Sequence, residues 1–465
     1  MPEAVQLRIA ATNFSCLDTR DRLVALLNED LDFHNETGSR ASHNFHSFPA
    51  KFPHQLPAKF ISALTYPRDV VLDPMMGSGT TVLEAFLSGR YAIGFDIDPL
   101  ALLISTVKIT PVARKSVSLL GDSIVSEAEL VARLDRGRIE TKLENRWDSR
   151  TKQFVDYWFA PETQIELQAL VEQIEKVQDQ AQKSFLLLTL SAIIITKSGG
   201  VSLAMDLGHT RPHRTKVVVD KRGNTLLGVP PPIGEGRRIS SKTVASPLIE
   251  FRRRLRKNLD SLPESPHDGS IPSLAFGNAQ SLPLGDDSVD LIVTSPPYAS
   301  NAIDYMRAHK FSLVWLGYPI AELSKRRKEY IGSEDICDGK LEELPKTVSG
   351  IVSQIGEVDR IRGRVLHRYY SEMTRTLSEM FRVLKPGKVA IVVVGTSTMR
   401  GINTQTGACL AEIGSVVGFD VPKVGMRSLD RNRRMLPIGK RLDLSSQIQN
   451  RMQEEFVIGL LKPLP

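Results

Sequence analysis

The segment from Val70 to Asp98 constrains this chain more than any other. It runs from a β-branched stretch, Val70-Val71-Leu72, through Asp73-Pro74-Met75-Met76-Gly77-Ser78-Gly79-Thr80-Thr81 into a helix-like stretch near Val82. A second strand-like run, Tyr91 to Phe95, then ends at Asp96. Strand, glycine turn, helix and strand in this order form a unit of a parallel sheet. Gly77 and Gly79 let the backbone pass close beneath a ligand, where a Cβ would collide. A triphosphate-binding loop needs a lysine after its last glycine, where this chain has Thr80, and the dinucleotide fingerprint needs a third glycine where it has Val82. Taken alone, the turn also reads as a tight strand-to-helix connection. Asp96, with Asp98 just beyond it, follows the glycines by about 20 residues, where a carboxylate can accept both hydroxyls of a ribose. An uncharged glycine loop with a strand-end carboxylate suits a nucleoside that lacks a pyrophosphate, and S-adenosylmethionine is such a ligand.

A second signal is Asp290-Leu291-Ile292-Val293-Thr294-Ser295-Pro296-Pro297-Tyr298, an apolar strand running into two prolines and an aromatic ring. Prolines hold the chain extended and donate no hydrogen bonds, so nearby carbonyls can face outward as acceptors for an amino group. The ring after them offers a flat face for a base taken out of its stack. The bland reading is a strand ending in a proline turn with Tyr298 in the core. Further buried-strand runs at Val389 to Val394 and Phe456 to Leu461 complete the pattern. We expect an α/β fold: a seven-stranded, mostly parallel, Rossmann-like sheet with strands near Val70, Ala92, Leu274, Leu291 and Ala390, closed by an antiparallel pair near Val421 and Val457.

Three parts follow: 1–110, an inserted stretch 111–272, and 273–465. Within the insertion, Pro161 to Thr196 has helical periodicity and no glycine, whereas Gly199 to Gly236 has the composition of a mobile loop or a small β-rich module. Ser324 to Gly350 is charge-dense and weakly periodic, a candidate lid or binding loop. The net charge is +7, and from Asp206 to Lys257 there are 13 Lys or Arg against 4 Asp or Glu, which points to a polyanionic partner. Cys16, Cys337 and Cys409 lie too far apart for a disulfide framework or a zinc ladder, which suits a reducing compartment. The longest apolar stretch, Phe185 to Ile195, is too short to span a bilayer and reads as a buried helix. With no targeting signal evident, a cytosolic location without membrane attachment is expected.

Together, Asp73 to Thr81 and Thr294 to Tyr298 resemble motifs I and IV of the amino-group DNA methyltransferases, which methylate cytosine N4 or adenine N6. Upstream, His43-Asn44-Phe45-His46-Ser47-Phe48-Pro49-Ala50-Lys51-Phe52-Pro53 resembles their motif X, which closes over the methionine end of the cofactor. His43, His46 and His54 lie on a proline-broken segment without cysteine or neighbouring carboxylates, so no metal is expected. The resemblance implies a class I methyltransferase sheet and S-adenosylmethionine bound by Phe48, Lys51, Asp73, Met75, Gly77, Ser78, Gly79, Thr80, Asp96 and Asn278. Asn278 stands where the family usually has an aspartate that touches adenine, and Asp122 in Leu119-Leu120-Gly121-Asp122 is its rival. Ser295, Pro296, Pro297 and Tyr298 form the implied catalytic set: Ser295 and the Pro296 carbonyl accept the amino hydrogens, and Tyr298 stacks on the base.

Ser295 resembles the cytosine-N4 subgroup, so the resemblance implies site-specific methylation of cytosine N4 in double-stranded DNA. It also implies a restriction-modification setting with a cognate restriction endonuclease, in a prokaryotic cytosol at the nucleoid. Arg211, Arg214, Lys216, Arg237, Arg238 and Arg433 are the candidate nucleic-acid contacts, while Arg252, Arg253, Arg254 and Arg256 read equally as the solvated face of a helix. The competing readings are adenine-N6 methylation, RNA base amino-methylation, a non-catalytic nucleic-acid-binding relative and, last, a nicotinamide oxidoreductase. Attack on cytosine C5 is disfavoured because it needs a cysteine nucleophile near the second motif.

Overall fold

The structure, a computed structural model, describes residues 18–33, 41–48, 51–207, 212–220, 222–228, 241–262, 272–299, 304–333, 341–395, 397–429 and 454–465. Seven strands form one sheet: β1 (Val70–Asp73), β2 (Tyr91–Asp96), β3 (Ser273–Phe276), β4 (Val289–Thr294), β5 (Leu384–Gly395), β6 (Asp420–Ser428) and β7 (Glu454–Leu461). Their spatial order is β6-β7-β5-β4-β1-β2-β3. The pairs β1/β2, β1/β4, β2/β3 and β4/β5 are parallel, and β7 runs antiparallel to β5 and β6. All seven strands fall where the apolar runs predict them.

Alternation of side chains along each strand splits the sheet into two buried faces. Val71, Leu291, Val293, Ile391, Val393 and Val457 face one layer, built from α1 (Thr19–Asn28), α2 (Gln55–Leu64) and α3 (Thr80–Leu87). Leu72, Ile292, Ala390, Val392, Val394 and Ile458 face the other, where Met373, Leu377 and Met380 of a long helix over Arg360–Val383 pack with Leu410 and Ile413 of the helix Thr406–Val417. Burial on both faces explains why β4 reads as an uninterrupted apolar run apart from Asp290, which pairs with Lys385 at 2.8 Å.

After β2, α4 (Pro99–Ile109) leads into a helical layer with its own core. In that layer are α5 (Arg114–Leu134), α6 (Arg136–Arg146), α7 (Ser149–Trp158), α8 (Pro161–Glu175), α9 (Gln180–Ile194) and α10 (Pro247–Leu259). Phe185 to Ile195 is thus the buried end of α9 and the residue capping it. Between α9 and α10 lie two small sheets, Ala204–Asp206 with His213–Arg214, and Val217–Val219 with Thr225–Leu227 and Ser241–Thr243. The β-rich alternative is therefore the one observed for the described part of Gly199 to Gly236.

Two expectations need correction. Leu119 to Asp122 is not a strand end but the middle of α5, where Gly121 and its neighbours pack against α10. The charge-dense stretch from Ser324, expected as a lid or binding loop, is helical at both ends. Two short helices flank it, α12 (Ile320–Glu329) and α13 (Lys346–Val358), with α11 (Tyr305–Leu313) ahead of them, although 334–340 lies outside the described residues.

Candidate active site

The carboxyl ends of β1, β2 and β4 meet where the strand order reverses, the place where open α/β sheets take their ligands. A cleft opens there, lined by Asp73, Met75, Gly77, Ser78, Thr80, Asp96, Asn278, Ser295 and Pro297, among others, with Phe48 and Lys51 from the segment ahead of α2. The first and second motifs, with Asp73 and Thr294 lying 221 residues apart in the chain, thus share one cavity.

Its first wall is the glycine loop. Gly79 adopts φ +70°, and a Cβ there would sit 2.5 Å from Ser105 Oγ, so α3 can start directly at Thr80 only with glycine at this position. The Gly77 N–H donates to Asp96 Oδ2 at 2.8 Å, and the Asp98 N–H donates to Asp96 Oδ1 at 2.9 Å. Burial, helped by the Asp98 charge, nonetheless pushes the Asp96 carboxyl up to about 7. Asp98 is held below its ordinary value: burial raises it, but the His309 imidazole, 2.5 Å from Oδ2, outweighs that. Asp98 also caps α4 by accepting the Leu100 N–H at 2.8 Å. Asp73 ties the two motifs together, because its Oδ1 accepts the Met75 N–H at 3.2 Å and the Thr294 hydroxyl at 2.7 Å, and burial lifts it to about 6.

The segment ahead of α2 closes the cavity from the other side. Lys51 donates to the His43 carbonyl at 2.9 Å, and burial first, then the Arg254 charge, lowers it to about 8. His46 bridges to the helical layer, its Nε2 2.8 Å from Ser191 Oγ on α9, and Arg254 of α10 donates to the carbonyls of Asn44 and Phe45 at 2.8 and 2.6 Å. Arg254 therefore pins this segment rather than facing solvent, a role no sequence signal marks. Phe48 stacks on Tyr305 of α11 with centroids 5.5 Å apart.

The expectation of histidines without a carboxylate is also corrected: Glu84 of α3 accepts from His43 at 2.7 Å and lies 3.7 Å from His54. The two imidazoles stack 4.9 Å apart with their planes at 17°, and one ligand atom from each of His43, His54 and Glu84 lies within 4.8 Å of the others, a spacing that could hold a metal ion.

At the second motif, Ser295 and Pro297 line the cavity. Tyr298 does not offer an open stacking face. It is 9% exposed, and its hydroxyl donates to Glu455 Oε1 at 2.9 Å, while Arg427 donates to Oε2 at 2.9 Å. Gly395 at the end of β5 leaves room for the ring, since a Cβ there would lie 3.0 Å from Tyr298 Cζ. Burial and the Glu455 charge hold this phenol well above its ordinary value, so it stays a donor. The partners of Tyr298 come from β6 and β7, far along the chain, and sequence spacing has no way to pair them.

Asn278 lines the cavity, whereas Asp122 is half-exposed on α5, 3.6 Å from Arg252. Of the candidate nucleic-acid contacts, Arg214 stacks over Tyr157 at 4.1 Å and Lys216 is exposed; Arg211, Arg237, Arg238 and Arg433 lie outside the described residues. Among the described residues no helix is long and apolar enough to cross a membrane.

Comparison with known proteins adds three findings. Residues 29–106 match the family model for DNA methylases of the N6/N4 type. The type II methyltransferase M.MvaI of Kocuria varians is 25% identical over 409 residues, covering 83% of this chain and 84% of that protein. M.BsoBI of Geobacillus stearothermophilus is 26% identical over 414 residues, covering 78% and 76%. Among solved structures, a SAM-dependent methyltransferase from Methanosarcina mazei is similar at 12% identity, covering 87% of this chain and 98% of that one with a TM-score of 0.30.

Proposed function

We propose that this chain, which belongs to the N6/N4 amino-group methyltransferase family and uses S-adenosylmethionine, methylates cytosine N4 in double-stranded DNA at a specific sequence. The observation that carries the reading is the single cavity walled at one end by the glycine loop with Asp96 and at the other by Ser295 and Pro297.

The residues present fit the cofactor. Asp96 is a buried carboxylate at the cavity wall that suits two ribose hydroxyls, Lys51 is a buried ammonium that suits a carboxylate, and Asn278 offers an amide to an adenine edge. When bound, the cofactor supplies an electrophilic sulfonium methyl. Ser295 and the Pro296 carbonyl accept the amino hydrogens of the target base, which localises the nitrogen lone pair for in-line attack. Tyr298 holds the Pro296-Pro297 turn in place through Glu455. Phe48 and Tyr305 supply the aromatic faces beside the cavity and exclude water from it. Most of the rate then comes from orientation and fixed polar groups.

Ser295 favours cytosine over adenine as the target. A cognate endonuclease of the same sequence specificity is part of the proposal, as are phosphate contacts by Arg214 and Lys216. Transfer of tritiated methyl groups to unmethylated genomic DNA and, in parallel, to bulk RNA, with mass analysis of the digested nucleosides, tests it. N4-methylcytosine that disappears in Ser295→Ala is the expected result. N6-methyladenine would overturn the base assignment, and label in RNA alone would overturn the DNA assignment.

A further inference from the structure

Helix α11 follows the proline turn and presents two faces. Tyr305 lines the cavity, and His309, one turn on, reaches Asp98. Arg307 and Lys310, three residues apart, share a different face. Asp304 caps this helix, its Oδ1 accepting the Arg307 N–H at 3.3 Å, and its Oδ2 holds two guanidinium groups from two helices: Arg307 Nε at 2.7 Å and Arg327 Nη2 of α12 at 2.6 Å. The Asp304 side chain is only 10% exposed, while those of Arg307 and Arg327 are 26% and 40% exposed. One shielded carboxylate therefore orients two outward-facing forks and leaves the trio with a net positive charge.

Two further cations join them. The Lys310 ammonium lies over the Phe154 ring at 5.1 Å. Burial lowers its pKa; Asp304 counters that effect, and the charges of Arg327, Arg307 and Arg150 add to it, so Lys310 shares its surroundings with all three guanidinium groups. Arg150, on α7, is exposed. Tyr305, which lines the cavity, directly follows Asp304 in the chain, and the Phe154 ring under Lys310 packs on Trp158, as does the Tyr157 ring under Arg214.

We propose that Arg307 and Arg327, oriented by Asp304 and flanked by Lys310 and Arg150, grip the backbone phosphates on either side of the nucleotide whose base enters the cavity. The proposal rests on the duplex-DNA reading above and names the residues that serve it. A base turned out of its stack carries its sugar and both flanking phosphates to the mouth of the pocket, so anion donors are needed there rather than at a distance. Guanidinium forks match phosphate oxygens two at a time, and a carboxylate that already fixes both forks removes much of the ordering they would otherwise undergo on binding.

The test uses the full chain and a plasmid duplex, comparing wild type with Arg307→Gln, Arg327→Gln and their double variant, and with Arg20→Gln as a remote control on α1. Affinity is measured across a salt series, together with DNA KM, kcat and cofactor affinity. Each lost phosphate contact removes about 0.9 from the log–log salt slope, or about threefold in affinity between 50 and 200 mM salt. DNA KM should rise while cofactor affinity holds, and Arg307→Lys should keep the slope yet lower kcat. A double variant with wild-type slope and KM and intact cofactor binding would overturn the clamp. If the Arg307 and Arg327 variants also weaken cofactor binding, Arg150→Gln, the exposed flanking member of the group on α7, carries the slope measurement instead. A wild-type protein that neither binds nor methylates the duplex would overturn the parent reading, and the clamp with it.

Discussion

At the end of the cavity proposed to hold the cofactor, the Gly77 N–H meets Asp96 across 19 residues of chain, and Asp98 bonds to Asp96 two residues away. At the base end, Tyr298 reaches its partner Glu455 across 157 residues. One end is a local device of backbone donors and a strand-end carboxylate. The other exists only once β6 and β7 have docked at the far edge of the sheet. Damage to the first should therefore appear in cofactor affinity and local stability, and damage to the second in turnover with cofactor affinity preserved.

The sharpest way to break this contrast is Gly79→Ala. The new Cβ meets Ser105 Oγ at 2.5 Å and Ser105 Cα at 3.1 Å, at a backbone angle of φ +70°. We expect a loss of about 3 kcal/mol in urea unfolding, combining left-handed strain with overpacking, and collapse of cofactor binding. Wild-type stability in this variant would mean the loop is not held as described.

A smaller effect comes from pH. Asp96 titrates at about 7 and Lys51 at about 8 in the folded chain. Ribose hydroxyls favour the ionised Asp96, so cofactor affinity rises as pH climbs through about 7. A cofactor carboxylate favours the charged Lys51, so affinity falls again above about 8. Calorimetric titration should show binding about fivefold to tenfold weaker at pH 6 than near pH 7.5. Asp96→Asn should flatten the acid limb and Lys51→Gln the alkaline one. A monotonic profile in the wild type would remove one of the two groups from the cofactor end.

At the base end, Tyr298→Phe deletes one hydroxyl while leaving Glu455 paired with Arg427. It should cost about 1 kcal/mol of stability and lower kcat by about tenfold, with cofactor affinity unchanged. Equal losses in kcat and cofactor affinity would mean the two ends are not built separately.

The same contrast explains what could be read before folding. The strands of the sheet are apolar runs whose period survives in the sequence, and the glycine loop sits within thirty residues of its carboxylate partner, so both were legible. The helices α5 to α7 were not: α6 buries only Ile139 and Leu143 against its neighbours, too few apolar positions to show a period. Glu84 beside His43, Arg254 beneath the segment before α2, and Glu455 beneath Tyr298 are tertiary pairings between distant elements, and local spacing carries no trace of them. The bland reading of Tyr298 as a core aromatic turned out to describe its burial.

The smallest effect separates Asn278 from Asp122, two residues that spacing alone left as rivals. Asn278 lines the cavity just after β3, its Oδ1 accepting the Gln280 N–H at 3.0 Å, so its side chain is fixed at the cavity wall. Asp122 lies on the outer part of α5 with only a half-exposed Arg252 at 3.6 Å, an ion pair worth at most about 0.5 kcal/mol in water. Asp122→Ala should therefore leave cofactor affinity within experimental error and shift unfolding by no more than that amount, while Asn278→Ala weakens the cofactor severalfold. The reverse pattern would require the helical layer to swing α5 toward the cavity, and would dissolve the idea that the cofactor end is built from strand ends alone.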